Sequence, residues 1–222
     1  MKTETHRDRS ELLAEALSEE IIDGRLRPGE KLNEADLSER FAVSRGPIRE
    51  ALKRLGERKL VVFYPNAGAR VVTHTLSDIL NLLEVREYLE AAAAKLAAVH
   101  MTEAEKKVLR ELYEAHAAAV GSTPDGSYLQ HPEDLDFHYV IIKGAKNPLL
   151  FDLLCGDLYP RLRISRRAHK ASPGRGARAL EEHRRILVAI EEGDPEFAEL
   201  LMRKHIAAAR EGLRRLGEFP SG

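Results

Sequence analysis

"AVSRGPIREALKRL", Ala42 to Leu55, is an unusual way to open a helix. A serine, a glycine and a proline crowd its start, and its leading charges, Arg45 and Arg49, are both positive. Proline is tolerated there because the first turn has no intrahelical partners for its N–H groups. Ile48, Ala51, Leu52 and Leu55 recur at helical spacing and predict a buried stripe. Arg45, Arg49 and Lys53 fall four apart on another face, which is wholly basic. A helix stripped of bulk at its tip suits entry into the major groove of a duplex. There Arg45 or Arg49 can make paired hydrogen bonds to guanine O6 and N7. Small Ser44 and Gly46 leave the tip N–H groups open to a phosphate.

Taken alone, the stretch is read equally well as a capped helix with a solvated basic face. Its flanks favour the first reading. Upstream, "RSELLAEALSEEIIDG" (9–24) places Leu12, Leu13, Ala16, Leu17, Ile21 and Ile22 in a helical stripe that stops at Gly24. "RLRPGEKLN" (25–33) reads as a turn around Pro28-Gly29, after which Asn33 caps a short helix, "EADLSERF", with Leu37 and Phe41 on one face. "AVS" is then a three-residue turn, and Ser44 caps the next helix. Downstream, "LVVFY" (60–64) and "ARVVTH" (69–74) flank "PNAG" and read as a β-hairpin. Asn66, Gly68 and Arg70 would let that hairpin approach the minor groove or the backbone. Three helices and a hairpin within residues 1–75 are the plan of a winged helix-turn-helix, a DNA-binding domain.

The net charge of −1 conceals a strong asymmetry. Residues 40–76 carry 8 Lys/Arg against 2 Asp/Glu, whereas residues 1–39 carry 6 against 11. Positive charge is thus concentrated around the quoted helix, and local clustering decides contact with phosphates. Apolar runs such as "YVII" (139–142) are far too short for a membrane span, and "MKTETHRDRS" lacks the apolar core of a signal peptide. The single cysteine, Cys155, excludes an internal disulfide framework, reads as a small buried residue and suits a reducing cytoplasm.

From residue 76 to 222 the chain becomes rich in alanine and leucine and reads as an all-α bundle. Six helices are expected near 77–99, 102–120, 130–143, 147–168, 176–192 and 195–217. In "EDLDFHYVIIKGAKNP" (133–148), Asp134 and His138 lie four apart on a face shared with Ile141 and Ile142. His183 lies in register with Leu187 and Ile190, and His205 with Leu201 and Ala208, so both should face the interior. One such histidine is usually a hydrogen-bonded core residue. Three, with a carboxylate, on three helices suit Zn, Ni, Mn or Fe. Arg86, in "LLEVREYLE", is suited to a carboxylate ligand, or forms a surface pair with Glu90. The basic run 161–170 reads as a partly solvated helix end, with the alternative that Arg161 or Arg163 reaches the cavity.

The stretch "GRLRPGEKLNEADLSERFAVSRGPIREALKRL" (24–55), followed by "PNAGARV" (65–71), resembles the DNA-binding domain of the GntR family of bacterial transcription regulators. The resemblance implies DNA contacts from Arg45, Gly46, Arg49, Asn66 and Gly68. Gly46 stands where relatives usually have Thr or Ser, and Ala35 where some have Arg. The second half resembles the FCD ligand-binding domain of the FadR subfamily, in a six-helix, VanR-like variant. That resemblance implies metal ligation by Asp134, His138, His183 and His205, and directs Arg86 toward an effector cavity. The protein is accordingly expected to be a cytoplasmic regulator, a repressor by analogy, with zinc foremost and nickel or manganese as alternatives. Its expected partners are a pseudo-palindromic double-stranded operator, a small carboxylate metabolite and a second copy of the chain, with no membrane. The alternatives are a metal-dependent hydrolase with a tethered DNA-binding module, for which Glu90 or Asp136 would be the nominated base, and a structural zinc with no effector.

Overall fold

In the computed structural model, residues 2–122, 137–169 and 175–216 are described. One compact unit runs to Thr75 and the second begins at Leu76. The first is built from α1 (Lys2–Ile22), β1 (Lys31–Leu32), α2 (Glu34–Arg40), α3 (Arg45–Glu57), β2 (Val61–Tyr64) and β3 (Gly68–Val71). It is a winged helix-turn-helix whose recognition helix is the sequence 45–57.

The α3 stripe is buried as expected: Ile48, Ala51, Leu52 and Leu55 are all at most 1% exposed. On α1 the stripe is rotated from its expected position. Leu12 points to solvent at 59% exposure, while Ala14, Leu17 and Ile21 face inward. Two adjacent leucines lie about 100° apart on a helix, so only one could lie at the centre of the stripe. Glu11 then reaches across to Arg54 and, at 2.8 Å, to Arg58, tying α1 to the far end of α3. Gly24 adopts φ +74° just past α1, the left-handed cap that glycine takes without steric cost.

Asn33 caps α2, its side chain accepting from Ala35 N at 2.9 Å, which contributes about 1 kcal/mol. Ser44 stands at the N-cap of α3 with extended backbone, but its hydroxyl makes no capping bond. The turn between α2 and α3 places Ala42 at φ +52°, a left-handed conformation unusual for a residue with a Cβ.

β2 and β3 form the expected hairpin, with Val61 opposite Val71 and Tyr64 opposite Gly68. A third strand was not legible. β1 pairs antiparallel with β3, Lys31 opposite Arg70 and Leu32 opposite Ala69, giving the order β1-β3-β2. Two residues carry no detectable alternation, so only pairing with β3 makes "KL" a strand.

The second unit comprises α4 (Leu76–His100), α5 (Glu103–Ser122), α6 (Phe137–Gly144), α7 (Pro148–Phe151), a π-helical turn (Asp152–Asp157), α8 (Tyr159–His169), α9 (Arg175–Glu191) and α10 (Pro195–Leu216). α4 and α10 pack along their lengths. Buried Ala91, Ala94, Ala97 and Ala98 keep α4 slim on its inner side. Lys95 to Glu199 at 3.0 Å and Arg210 to Glu87 at 2.9 Å join the two helices at the rim. The main core gathers Leu109, Phe137, Ile141, Ile186, Ile190, Met202 and Ile206 from four helices, against Ala94, Ala97 and Ala98 of α4.

One expected helix is corrected, and another is described only in part. The one near 130–143 is described from Phe137, and its earlier part, including Asp134 and Asp136, lies outside the described residues. The one expected over 147–168 is three pieces. Pro160, in the first turn of α8, has no N–H to give to the carbonyl four residues back. Just before it Leu158 N bonds Leu153 O at 3.1 Å, a π-type closure that absorbs the mismatch.

α5 opens with a reciprocal cap that the break "MTEAE" concealed. Thr102 N donates to Glu105 Oε2 at 3.0 Å and Glu105 N to Thr102 Oγ1 at 3.3 Å. Glu105 also pairs with Lys146 beyond α6. Lys146 first, then Thr102, hold its carboxyl down from 4.5 to about 2, against a small opposing effect of burial. A depressed folded pKa gives stability that is complete above the unfolded value and is lost as pH falls through the folded one. The thermal midpoint should therefore decline between about pH 5 and 2, and Glu105→Gln should flatten part of that decline in a pH series of melts.

Candidate metal centre and nucleic-acid interface

α6, α9 and α10 each contribute one buried histidine to a common point: His138, His183 and His205 are 5, 5 and 6% exposed. One ring nitrogen from each lies within 4.8 Å of the other two. His183 Nε2 and His205 Nε2 are 3.3 Å apart. Two imidazole nitrogens sharing a tetrahedral ion at bonds of about 2.0–2.1 Å would stand about 3.3 Å apart, so this pair is already spaced for a metal. Three neutral imidazoles suit zinc and the later first-row divalent ions. The residues present therefore fit such a group.

Each ring is held differently. Phe137, fully buried, stacks on His183 with centroids 4.4 Å apart and planes 19° from parallel. His205 Nδ1 lies 2.6 Å from Glu182 Oε2, and His138 Nδ1 2.5 Å from Glu90 Oε2. The His205 stripe differs from expectation by one position. Ala209 is buried beside it and Ala208 is exposed, because the inner face of α10 runs through Leu201, Met202, Ile206, Ala209 and Leu213.

Arg86 and Glu90 do pair, but not at the surface. They are 4 and 1% exposed, with Arg86 Nε donating to Glu90 Oε1 at 2.5 Å. Burial alone would raise the Glu90 pKa, but the charge of Arg86 and the hydrogen bonds from His138 and Arg86 outweigh it, holding Glu90 ionised well below the usual carboxylate range. Cys155, on the π-helical turn, is pushed up to about 12 by burial and then by the charge of Glu90, and stays a thiol. Arg161 has its Nε buried without a hydrogen-bond partner in the described structure.

In the first unit, Ser44, Arg45, Gly46, Arg49 and Lys53 are exposed on α3, and Asn66 and Gly68 at the hairpin tip. Asn66 and Gly68 both have positive φ, +60° and +81°, which makes that tip tight. Arg49 Nε donates to Glu34 Oε2 at 2.7 Å across the helix-turn-helix. Exposed pairs of this kind contribute about 0–1 kcal/mol, little enough for a nucleic-acid anion to displace. Arg70 is half-buried and donates to Gly29 O at 3.0 Å, bracing the base of the hairpin.

Sequence reasoning missed Glu182 and the bridging position of Glu90. Glu182 adjoins His183 yet serves His205 on another helix, a pairing no spacing reveals. Glu90 had a signal in its i, i+4 relation to Arg86, but not its link to His138.

A winged helix followed in the same chain by an all-helical unit is the build of a DNA-binding regulator with a second domain. Comparison with known proteins agrees. The family "Bacterial regulatory proteins, gntR family" matches residues 9–71, and the FCD domain matches residues 81–208. The HTH-type transcriptional regulator LutR of Bacillus subtilis is 31% identical, with 84% of this chain and 92% of LutR covered. The HTH-type transcriptional regulator YdhC of the same organism is 29% identical, with 86 and 83% covered. The crystal structure of a transcriptional regulator GntR from Rhodococcus sp. RHA1 shares the fold at a TM-score of 0.73 and 24% identity, covering 94% of this chain and 98% of that one. The chain belongs to the GntR family of transcription regulators and carries an FCD domain; it is a DNA-binding regulator and not an enzyme. None of its described helices is long and apolar enough to cross a membrane.

Proposed function

We propose that this regulator binds a pseudo-palindromic operator as a homodimer and represses from it, in the cytoplasm, until a small organic acid reaches its helical domain. The convergence of His138, His183 and His205 carries the sensing half of this reading. These three residues would hold a divalent ion, zinc foremost and nickel or manganese as alternatives, with Asp134 as a fourth ligand. A bound ion would supply a Lewis-acidic point for a carboxylate oxygen. Arg86 would supply the paired hydrogen bonds of a guanidinium, provided the acid competes with Glu90 for it. The match of residues 81–208 to the FCD domain supports the same assignment, and the chain would fall in the FadR subfamily, in a VanR-like form read from the sequence as six-helix. The exposed basic face of α3 and the tight hairpin tip support DNA contacts from Arg45, Gly46, Arg49, Lys53, Asn66 and Gly68, whereas Arg70 would act from the base of the hairpin, by bracing it. A single winged helix reads few bases, so a two-fold pair of them supports usable affinity. The effector acts by favouring one arrangement of the dimer over another.

The test has two parts. The operator is selected from random duplexes, and candidate organic acids are titrated against the metal-loaded complex; release of DNA by an acid only in the presence of metal is the expected result. Arg49→Ala should lower operator affinity about 10- to 100-fold, the loss of one two-pronged base contact. Unchanged affinity at fixed salt would remove Arg49 from the interface.

A further inference from the structure

We infer that Glu90 and Glu182 are the positioning residues of the histidine cluster: each takes the Nδ1 hydrogen of one imidazole and so presents the Nε2 lone pair to the shared centre. The inference rests on the metal reading above and extends it to two residues outside the ligand set.

The distances are those of strong, charge-assisted hydrogen bonds. Glu182 Oε2 is 2.6 Å from His205 Nδ1 and Glu90 Oε2 is 2.5 Å from His138 Nδ1. An ionised carboxylate can only accept, so in each pair the imidazole Nδ1 carries the hydrogen. The neutral ring is then left with its lone pair on Nε2. For His205 the consequence is directly visible, because Nε2 is the atom that faces His183 Nε2 at 3.3 Å. A carboxylate behind a ligating imidazole also raises its basicity, and hence its affinity for a cation.

The two carboxylates differ in setting. Glu182 is on α9, with its side chain 30% exposed, and it reaches across to α10. Glu90 is on α4, 1% exposed, and both its oxygens are used, Oε2 by His138 and Oε1 by Arg86. Glu90 therefore ties the arginine to a ring of the cluster. An anion that drew Arg86 away would act on His138 through a single side chain.

The experiment measures zinc affinity by chelator competition for the full chain, and records long-range 1H–15N histidine spectra on the metal-free protein. Glu182→Ala, at a partly exposed position that folding should tolerate, is expected to weaken zinc about 10- to 100-fold. His205 should lose its single Nδ1-protonated pattern. Glu182→Gln retains an acceptor and should recover most of both. Glu90→Leu combined with Arg86→Met, which removes the second acceptor without stranding a charge, should weaken zinc in the same direction. Glu182→Ala binding zinc within about twofold of wild type, with the His205 pattern intact, overturns the inference while leaving the metal site standing. Wild type binding no zinc overturns the metal reading, and the inference with it.

Discussion

His183→Ala is expected to empty the helical domain of metal. Wild type, purified without chelator or affinity tag, should carry about one ion per chain after loading with zinc, nickel or manganese, and the variant almost none. The reason is geometric. His183 and His205 supply the pair of nitrogens already 3.3 Å apart, so removing His183 takes away half of that pair and one of the three converging imidazoles. A thermal melt gives a second check. An ion that binds only the folded chain, present at 1,000 times its Kd, stabilises by about 4 kcal/mol. Zinc should thus raise the melting temperature of wild type and leave that of His183→Ala unchanged. Equal metal content in the two proteins would place the ion elsewhere.

Arg86→Ala should be strongly destabilising, at about 3–5 kcal/mol. It strips the main counter-charge from Glu90, which stays 1% exposed and has no route to water without local unfolding. Replacing both partners, as in Arg86→Met with Glu90→Leu, should recover much of that loss, since apolar groups of similar volume leave no charge stranded. Urea midpoints of the wild type, single and double variants check this. A single variant within about 1 kcal/mol of wild type would mean that His138 alone satisfies Glu90. The same variants separate two uses of Arg86, because the double variant should fold and yet lose any dependence on an organic acid.

Much of the winged helix was legible in the sequence, although Leu12 faces solvent and Ser44 makes no capping bond. Ile48, Ala51, Leu52 and Leu55 on one face, Asn33 before a short helix and a turn tetrapeptide between β-rich runs are local signals, each set by one turn or one strand period. The inward histidines were legible for the same reason, as they share a stripe with Ile141, Leu187 and Leu201. Failures came where the deciding partner was distant. β1 is a strand only because β3 lies beside it. The helix expected over 147–168 is broken, although Pro160 and Gly156 were present to signal it.

Taken by itself, then, the sequence determined the two kinds of domain, the basic tip of α3, and the set of buried imidazoles. Only the tertiary structure decided which atoms meet. It turned an Arg86–Glu90 pair that helical spacing would also allow at the surface into a buried one, joined Glu90 to His138 across 48 residues, and set Glu182 of one helix behind His205 of another. Helical periodicity reports the direction in which a side chain leaves its own helix. Which group it finds there depends on how helices pack against one another, and that is settled by the close packing of the whole core rather than by any local run of residues.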